Sequence, residues 1–152
     1  MKNFVLRRAE ARDFDAVAAI RAQTIPGDYF ETTFHEERVN AHYYFAVLEA
    51  DHQVLGYAVM EFTSPDAALT EVAVSPIEQR QGHATRLWQH LLQQAQWRNV
   101  KRVFLEVRQG NRAALNWYKK LGFVEINQRQ QYYSDPIEDA VVMKYSVSSR
   151  PT

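Results

Sequence analysis

The most constraining stretch of this chain lies between residues 67 and 108, where the apolar period changes twice. Residues 67–74 are small and β-branched and are stopped by Ser75-Pro76. Ala84, Leu87, Trp88, Leu91, Leu92 and Ala95 then recur at helical spacing, and residues 101–108 alternate again. A strand, a helix and a strand in so short a span imply a right-handed crossover with the two strands parallel. Around this unit, residues 4–8 read as a strand, and Asp13 is a candidate N-cap for a helix with Phe14, Val17, Ala18 and Arg21 on one face. A loop at 24–29 leads to a second helical segment at 30–40. The runs 43–50 and 54–62 form a hairpin around Asp51-His52-Gln53, and 111–121 is a helix closed by Gly122. Strands at 123–128 and 139–147 complete the order βα(α)βββαβαββ. The expected fold class is α/β (α+β): a mixed, mostly antiparallel sheet of about seven strands with helices on both faces.

A chain of 152 residues with 46% apolar content can bury one substantial core, so a single domain over 1–152 is expected. Eighteen basic and eighteen acidic residues cancel, which removes the electrostatic footprint of direct nucleic acid binding. The absence of cysteine excludes disulfides, a thiolate nucleophile and cysteine-based metal sites. His35, His42, His52, His83 and His90 are scattered without ligand spacing, so no metal is expected. No Gly-x-Ser-x-Gly nucleophile signature is present. The run Phe4-Val5-Leu6 is too short for a signal-peptide core, and residues 54–60 cannot span a bilayer that needs ~20 residues. No membrane contact and a cytoplasmic location follow as the default expectation.

Two constellations carry chemistry. The first is Val72-Ala73-Val74, then Gln79-Arg80-Gln81-Gly82-His83-Ala84-Thr85 opening the strong helix. A helix start offers free N–H groups and partial positive charge, and Gly82 with Ala84 lets an anion as large as a diphosphate reach the backbone. Gly82 serves equally well as a simple turn into the helix. The second runs from Glu106 through Asn111 and Tyr118 to Leu121-Gly122-Phe123. Glu106 shares a strand face with Phe104 and Arg108, where a carboxylate suits either a general base or an ion pair with Arg108. Tyr118, on the helical face of Ala114, Leu115 and Leu121, suits either the core or a reacting centre.

Together these motifs resemble the GNAT superfamily of acetyl-CoA-dependent N-acetyltransferases over almost the whole chain. The family's pyrophosphate pattern, Gln/Arg-x-x-Gly-x-Gly/Ala, is met by Gln79, Gly82 and Ala84. Leu105-Glu106-Val107-Arg108, Asn111, Tyr118 and the tail from Arg129 through Tyr132-Tyr133 to Glu138-Asp139-Ala140 and Met143 resemble, more closely, the subfamily that acetylates the N-terminal alanine of ribosomal protein bS18. The resemblance implies acetyl-CoA as cosubstrate, Glu106 as general base and Tyr118 as general acid. It implies cofactor contacts from Val72, Ala73, Val74, Arg80, Gln81, Gly82, His83, Ala84, Thr85 and Asn111, and the bS18 N-terminus as partner. One departure stands out: Ile25-Pro26-Gly27-Asp28-Tyr29 replaces the Pro-Trp pair usual after the first helix.

The alternatives are the same chemistry on a small amine or a lysine, or a non-catalytic acyl-CoA-binding module, which has no use for an acid and base pair. Asp135, Glu138 and Asp139 are expected to form an acidic rim that steers a basic peptide.

Overall fold

A computed structural model describes residues 3–148. The expected domain bounds include residues 1, 2 and 149–152, which lie outside the described residues. The elements are β1 (Phe4–Arg8), α1 (Phe14–Thr24), α2 (Glu31–Val39), β2 (Tyr43–Ala50), β3 (Gln53–Thr63), β4 (Asp66–Val74), α3 (His83–Trp97), β5 (Arg102–Arg108), α4 (Arg112–Leu121), β6 (Val124–Tyr133) and β7 (Glu138–Ser146). One seven-stranded sheet takes them in the order β1-β2-β3-β4-β5-β7-β6. Every pairing is antiparallel except β4 with β5, as the crossover through α3 requires.

The central strands bury both faces, which is why their sequences are continuous apolar runs rather than clean alternations. Ala46, Leu48, Ala58, Met60 and Val103 join Leu87, Trp88 and Leu91 of α3 and Leu115 of α4 in one core. Phe45, Val47, Tyr57 and Val59 face the other way, against Val17 and Ile20 of α1 and Phe34 of α2. Leu87 and Leu91 are wholly buried, so truncating either to alanine costs about 2–5 kcal/mol.

The parallel pair is short. β4 and β5 are joined only at Asp66↔Arg102, Ala67↔Val103 and Ala68↔Phe104, after which the two strands part. Their facing edges beyond this point leave backbone N–H and C=O groups unspent, a place where an extended ligand can pair. This divergence positions the site.

The structure differs from the sequence reading in two local ways. Asp13 precedes α1, yet its carboxylate does not cap that helix: Arg7 takes it at 2.7 and 3.0 Å, and the Glu10 N–H donates at 2.7 Å. Asp13 ends a short 3-10 turn and already has helical dihedrals, which point its side chain away from the α1 N–H groups. The strand β6 runs to Tyr133, past the expected end at 128, because it lies at the sheet edge with nearly every residue exposed.

Candidate active site

A cavity of about 600 Å³ opens where β4 leaves β5, on the face covered by α3 and α4. Val72, Ala73 and Val74 form its strand wall, Arg80, Gly82, His83, Ala84 and Thr85 its helix-start wall, and Ala114, Trp117 and Tyr118 of α4 its floor. Gly82 precedes α3 with φ +81°, and no side chain caps the helix. The N–H groups of the first turn, including His83, Ala84 and Thr85, therefore lack intrahelical partners at a wall of the cavity, which suits a bound anion. Gln79 holds the loop to the end of β4 by donating from Nε2 to the Val74 carbonyl at 3.1 Å.

Tyr118 is half-buried here, its ring edge-on to Phe123 at 5.6 Å and tilted on Trp117 at 4.9 Å. Burial first, then the neighbouring Tyr133, pushes its hydroxyl up to about 12. It is therefore a neutral phenol with a proton to give throughout the physiological range.

Glu106 points to the opposite face. It lines a second cavity of about 400 Å³ with Glu61, Thr70, Phe104, Tyr132 and Tyr133. Arg108, two positions on, is not its partner: that guanidinium binds Glu138 at 3.3 Å and the carbonyls of Ser134 and Pro136. Glu106 instead accepts a hydrogen bond from Arg129 Nη1 at 3.1 Å. Tyr133, in the wall of this cavity, has its hydroxyl raised by burial and then by Glu106. The strand divergence thus has a neutral phenol on one face and a carboxylate on the other.

The remaining expected residues are placed differently. The His83 ring is buried between Phe4, at 5.4 Å, and Glu78, whose carboxylate lies 3.5 Å from Nε2, so only the His83 backbone is available to an anion. Asn111 does not line the cavity; its side-chain oxygen accepts from the Ala114 N–H at 3.2 Å and caps α4. Gln81 also stands off it. Of the expected acidic rim, Glu138 binds Arg108 and accepts from the Gly110 N–H at 2.7 Å, while Asp139 accepts from Gln131 N and Gln128 Nε2. Sequence reasoning missed Trp117, whose indole N–H donates to Thr85 at 3.4 Å and ties α4 to α3. Its signal was available: Ala114, Trp117 and Tyr118 fall at i, i+3 and i+4 on one helical face.

Among the described residues, no group of three or more His, Asp or Glu stands together as metal ligands, and no helix is long and apolar enough to cross a membrane.

The model of the family described as "Acetyltransferase (GNAT) family" matches residues 6–123. The [ribosomal protein bS18]-alanine N-acetyltransferase of Escherichia coli K12 is 31% identical over 141 residues, covering 91% of this chain and 95% of that protein. The N-alpha-acetyltransferase of Sulfurisphaera tokodaii is 32% identical over 155 residues, covering 93% and 92%. The crystal structure of the ribosomal-protein-S18-alanine N-acetyltransferase from Escherichia coli aligns with a TM-score of 0.87 at 30% identity, covering 98% of this chain and 97% of that one.

Proposed function

The chain belongs to the GNAT acetyltransferase family and is an N-acetyltransferase that uses acetyl-CoA, and from that premise we propose that its acceptor is the N-terminal alanine of ribosomal protein bS18. The observation that carries the reading is the pair of cavities on either face of the β4 and β5 divergence, with Tyr118 in one and Glu106 in the other.

The larger cavity suits the cofactor. Val72, Ala73 and Val74 present the free strand edge to the pantetheine amides, and the first turn of α3 with Arg80 receives the diphosphate. Within this loop His83 contributes its backbone and Gln81 stands at the margin. Asn111, through the α4 cap, fixes the helix that carries Tyr118 and so serves the cofactor cavity indirectly.

The acceptor amine enters on the Glu106 side. Its nitrogen bonds to the thioester carbonyl carbon, the carbon–sulfur bond breaks, Glu106 takes the amine proton through water, and Tyr118 donates its proton to the departing sulfur. An α-amino group of pKa ~8 is about one-tenth neutral at pH 7, against roughly one part in a few thousand for lysine at ~10.4, so an N-terminus asks less of the base. The full-length similarity to bS18-alanine N-acetyltransferases supports this acceptor over small amines.

The test is CoA release with a peptide bearing the bS18 N-terminus, compared with the same peptide N-terminally blocked, with lysine peptides and with small amines. The free-N-terminus peptide is expected to give the highest kcat/KM. A small amine or lysine peptide turned over faster would overturn the acceptor assignment.

A further inference from the structure

Beyond the acid and base, one residue of the outermost strand reaches the reacting centre. β6 is separated from β5 by β7, yet Arg129 of β6 meets Glu106 at 3.1 Å. The register explains how. Arg108, Ala140 and Arg129 form one cross-strand row and Glu106, Val142 and Asn127 the next, all on one face, so only the methyl group of Ala140 lies between Arg129 and the β5 edge.

The strand is also broken to aim its side chains. Adjacent residues of a regular strand point to opposite faces, but Tyr132 and Tyr133 both line the Glu106 cavity. Between Arg129, opposite Ala140, and Tyr133, opposite Glu138, β6 carries extra residues, with Gln131 at φ +51°. Asp139 fixes this bulge by accepting from the Gln131 N–H and the Gln128 side chain, both at 2.9 Å. The bulge brings Tyr132 beneath the Arg129 guanidinium at 4.3 Å from the ring centroid.

We propose that Arg129, seated on Tyr132 by the β6 bulge, is a positioning residue that aims the Glu106 carboxylate and supplies its counter-charge until the acceptor amine takes that place. The proposal rests on Glu106 as the base. Arg129 is about half exposed and Glu106 about one-third, so an incoming ammonium can compete for the same carboxylate oxygens. The other ionisable groups facing Glu106 are Tyr132 and Tyr133 of β6, Arg108 of its own strand with its partner Glu138, Lys144 of β7 beside Phe104, and Glu61 of β3 across the cavity. Arg108 is already committed to Glu138 and Lys144 stands further along the strand, which leaves Arg129 as the cation in contact.

The experiment is a four-variant cycle of the parent, Arg129→Gln, Glu106→Gln and the double variant, with Arg129→Lys alongside, using the bS18 peptide across pH. Arg129→Gln is expected to lower kcat roughly tenfold with KM for acetyl-CoA unchanged. Arg129→Lys restores part of kcat, because an ammonium keeps the charge but lacks the guanidinium's fixed fork. In the Glu106→Gln background Arg129→Gln has no further effect. If Glu106→Gln is slow while Arg129→Gln keeps the parent's rate, or if the two losses multiply, the Arg129 proposal falls alone. If Glu106→Gln turns over like the parent, the base assignment falls and this proposal with it.

Discussion

In the proposed mechanism the phenol must hold its proton until the thiolate forms, and the burial that pushes Tyr118 up to about 12 is consistent with this. Tyr118→Phe should therefore lower kcat by ~10² with acetyl-CoA binding intact, in steady-state rates paired with calorimetric titration. Glu106→Gln should show a similar loss that shrinks as pH rises, because more amine arrives neutral. An equal deficit at every pH would remove Glu106 from proton transfer. A second carboxylate gives a prediction about stability. Glu37 of α2 has a buried Oε1 with no hydrogen-bond partner, and burial, then Glu71 and Glu61, push it from its ordinary 4.5 up to about 7. The folded state then holds this proton more tightly than the unfolded chain, so the stability it contributes is full below about pH 4.5 and is lost as pH rises through 7. The parent's Tm should fall between pH 5 and 8 more steeply than that of Glu37→Gln, and parallel curves would contradict the assignment. Residue contacts of this kind were the least legible part of the sequence. Glu106 suggested Arg108 by strand periodicity, but its partner Arg129 is brought in across β7 by sheet order, which no local pattern encodes.

At the scale of elements, two glycines hold the cofactor cavity in shape. Gly82 sits at φ +81°, where a β-branched residue is strained by about 1–2 kcal/mol, although a Cβ there meets nothing within 4 Å. Gly82→Val should therefore lower Tm modestly and also weaken acetyl-CoA binding by tens-fold, on the order of 2 kcal/mol, because the side chain would occupy the ligand's own approach. A folded variant of unchanged affinity would move the diphosphate elsewhere. Gly56 of β3 is different: a Cβ there would stand 2.8 Å from the Ala73 carbonyl oxygen and 3.3 Å from Leu87 Cδ1. Gly56→Ala should cost about 1–3 kcal/mol in chemical denaturation, and a neutral outcome would mean that β4 yields without cost. Both elements flanking the cavity were readable. The period of Leu87, Trp88 and Leu91 marks α3, and the apolar run at 67–74 marks β4. The end of β6 was not, since the segment at 127–131 is polar on both faces and an exposed edge strand leaves no alternation to read.

For the molecule as a whole, the βαβ crossover at its centre dictated the mixed sheet, and the runs on either side supplied the antiparallel remainder, while the placing of β7 between β5 and β6 was not legible. The active-site opening itself was not legible, because it depends on where pairing between β4 and β5 stops, after Ala68↔Phe104, and no residue type announces that point. The contacts of two acidic residues were not legible either: Glu138 and Asp139, read with Asp135 as a rim for basic peptides, are also held by Arg108, Gly110 and the β6 bulge. What the fold does supply is a cavity with the Tyr118 phenol on one face of the divergence and a cavity with the Glu106 carboxylate on the other, which is what the proposed direct transfer from thioester to amine needs. The most direct test is to incubate the protein with acetyl-CoA and a peptide carrying both the bS18 N-terminal alanine and an internal lysine, then locate the added acetyl group by fragmentation mass spectrometry of peptide and protein. The account predicts acetyl on the alanine α-amine, with the lysine and the protein unmodified. Acetyl on the lysine, or a stable acetyl adduct of the protein that passes its group to the peptide, would contradict it.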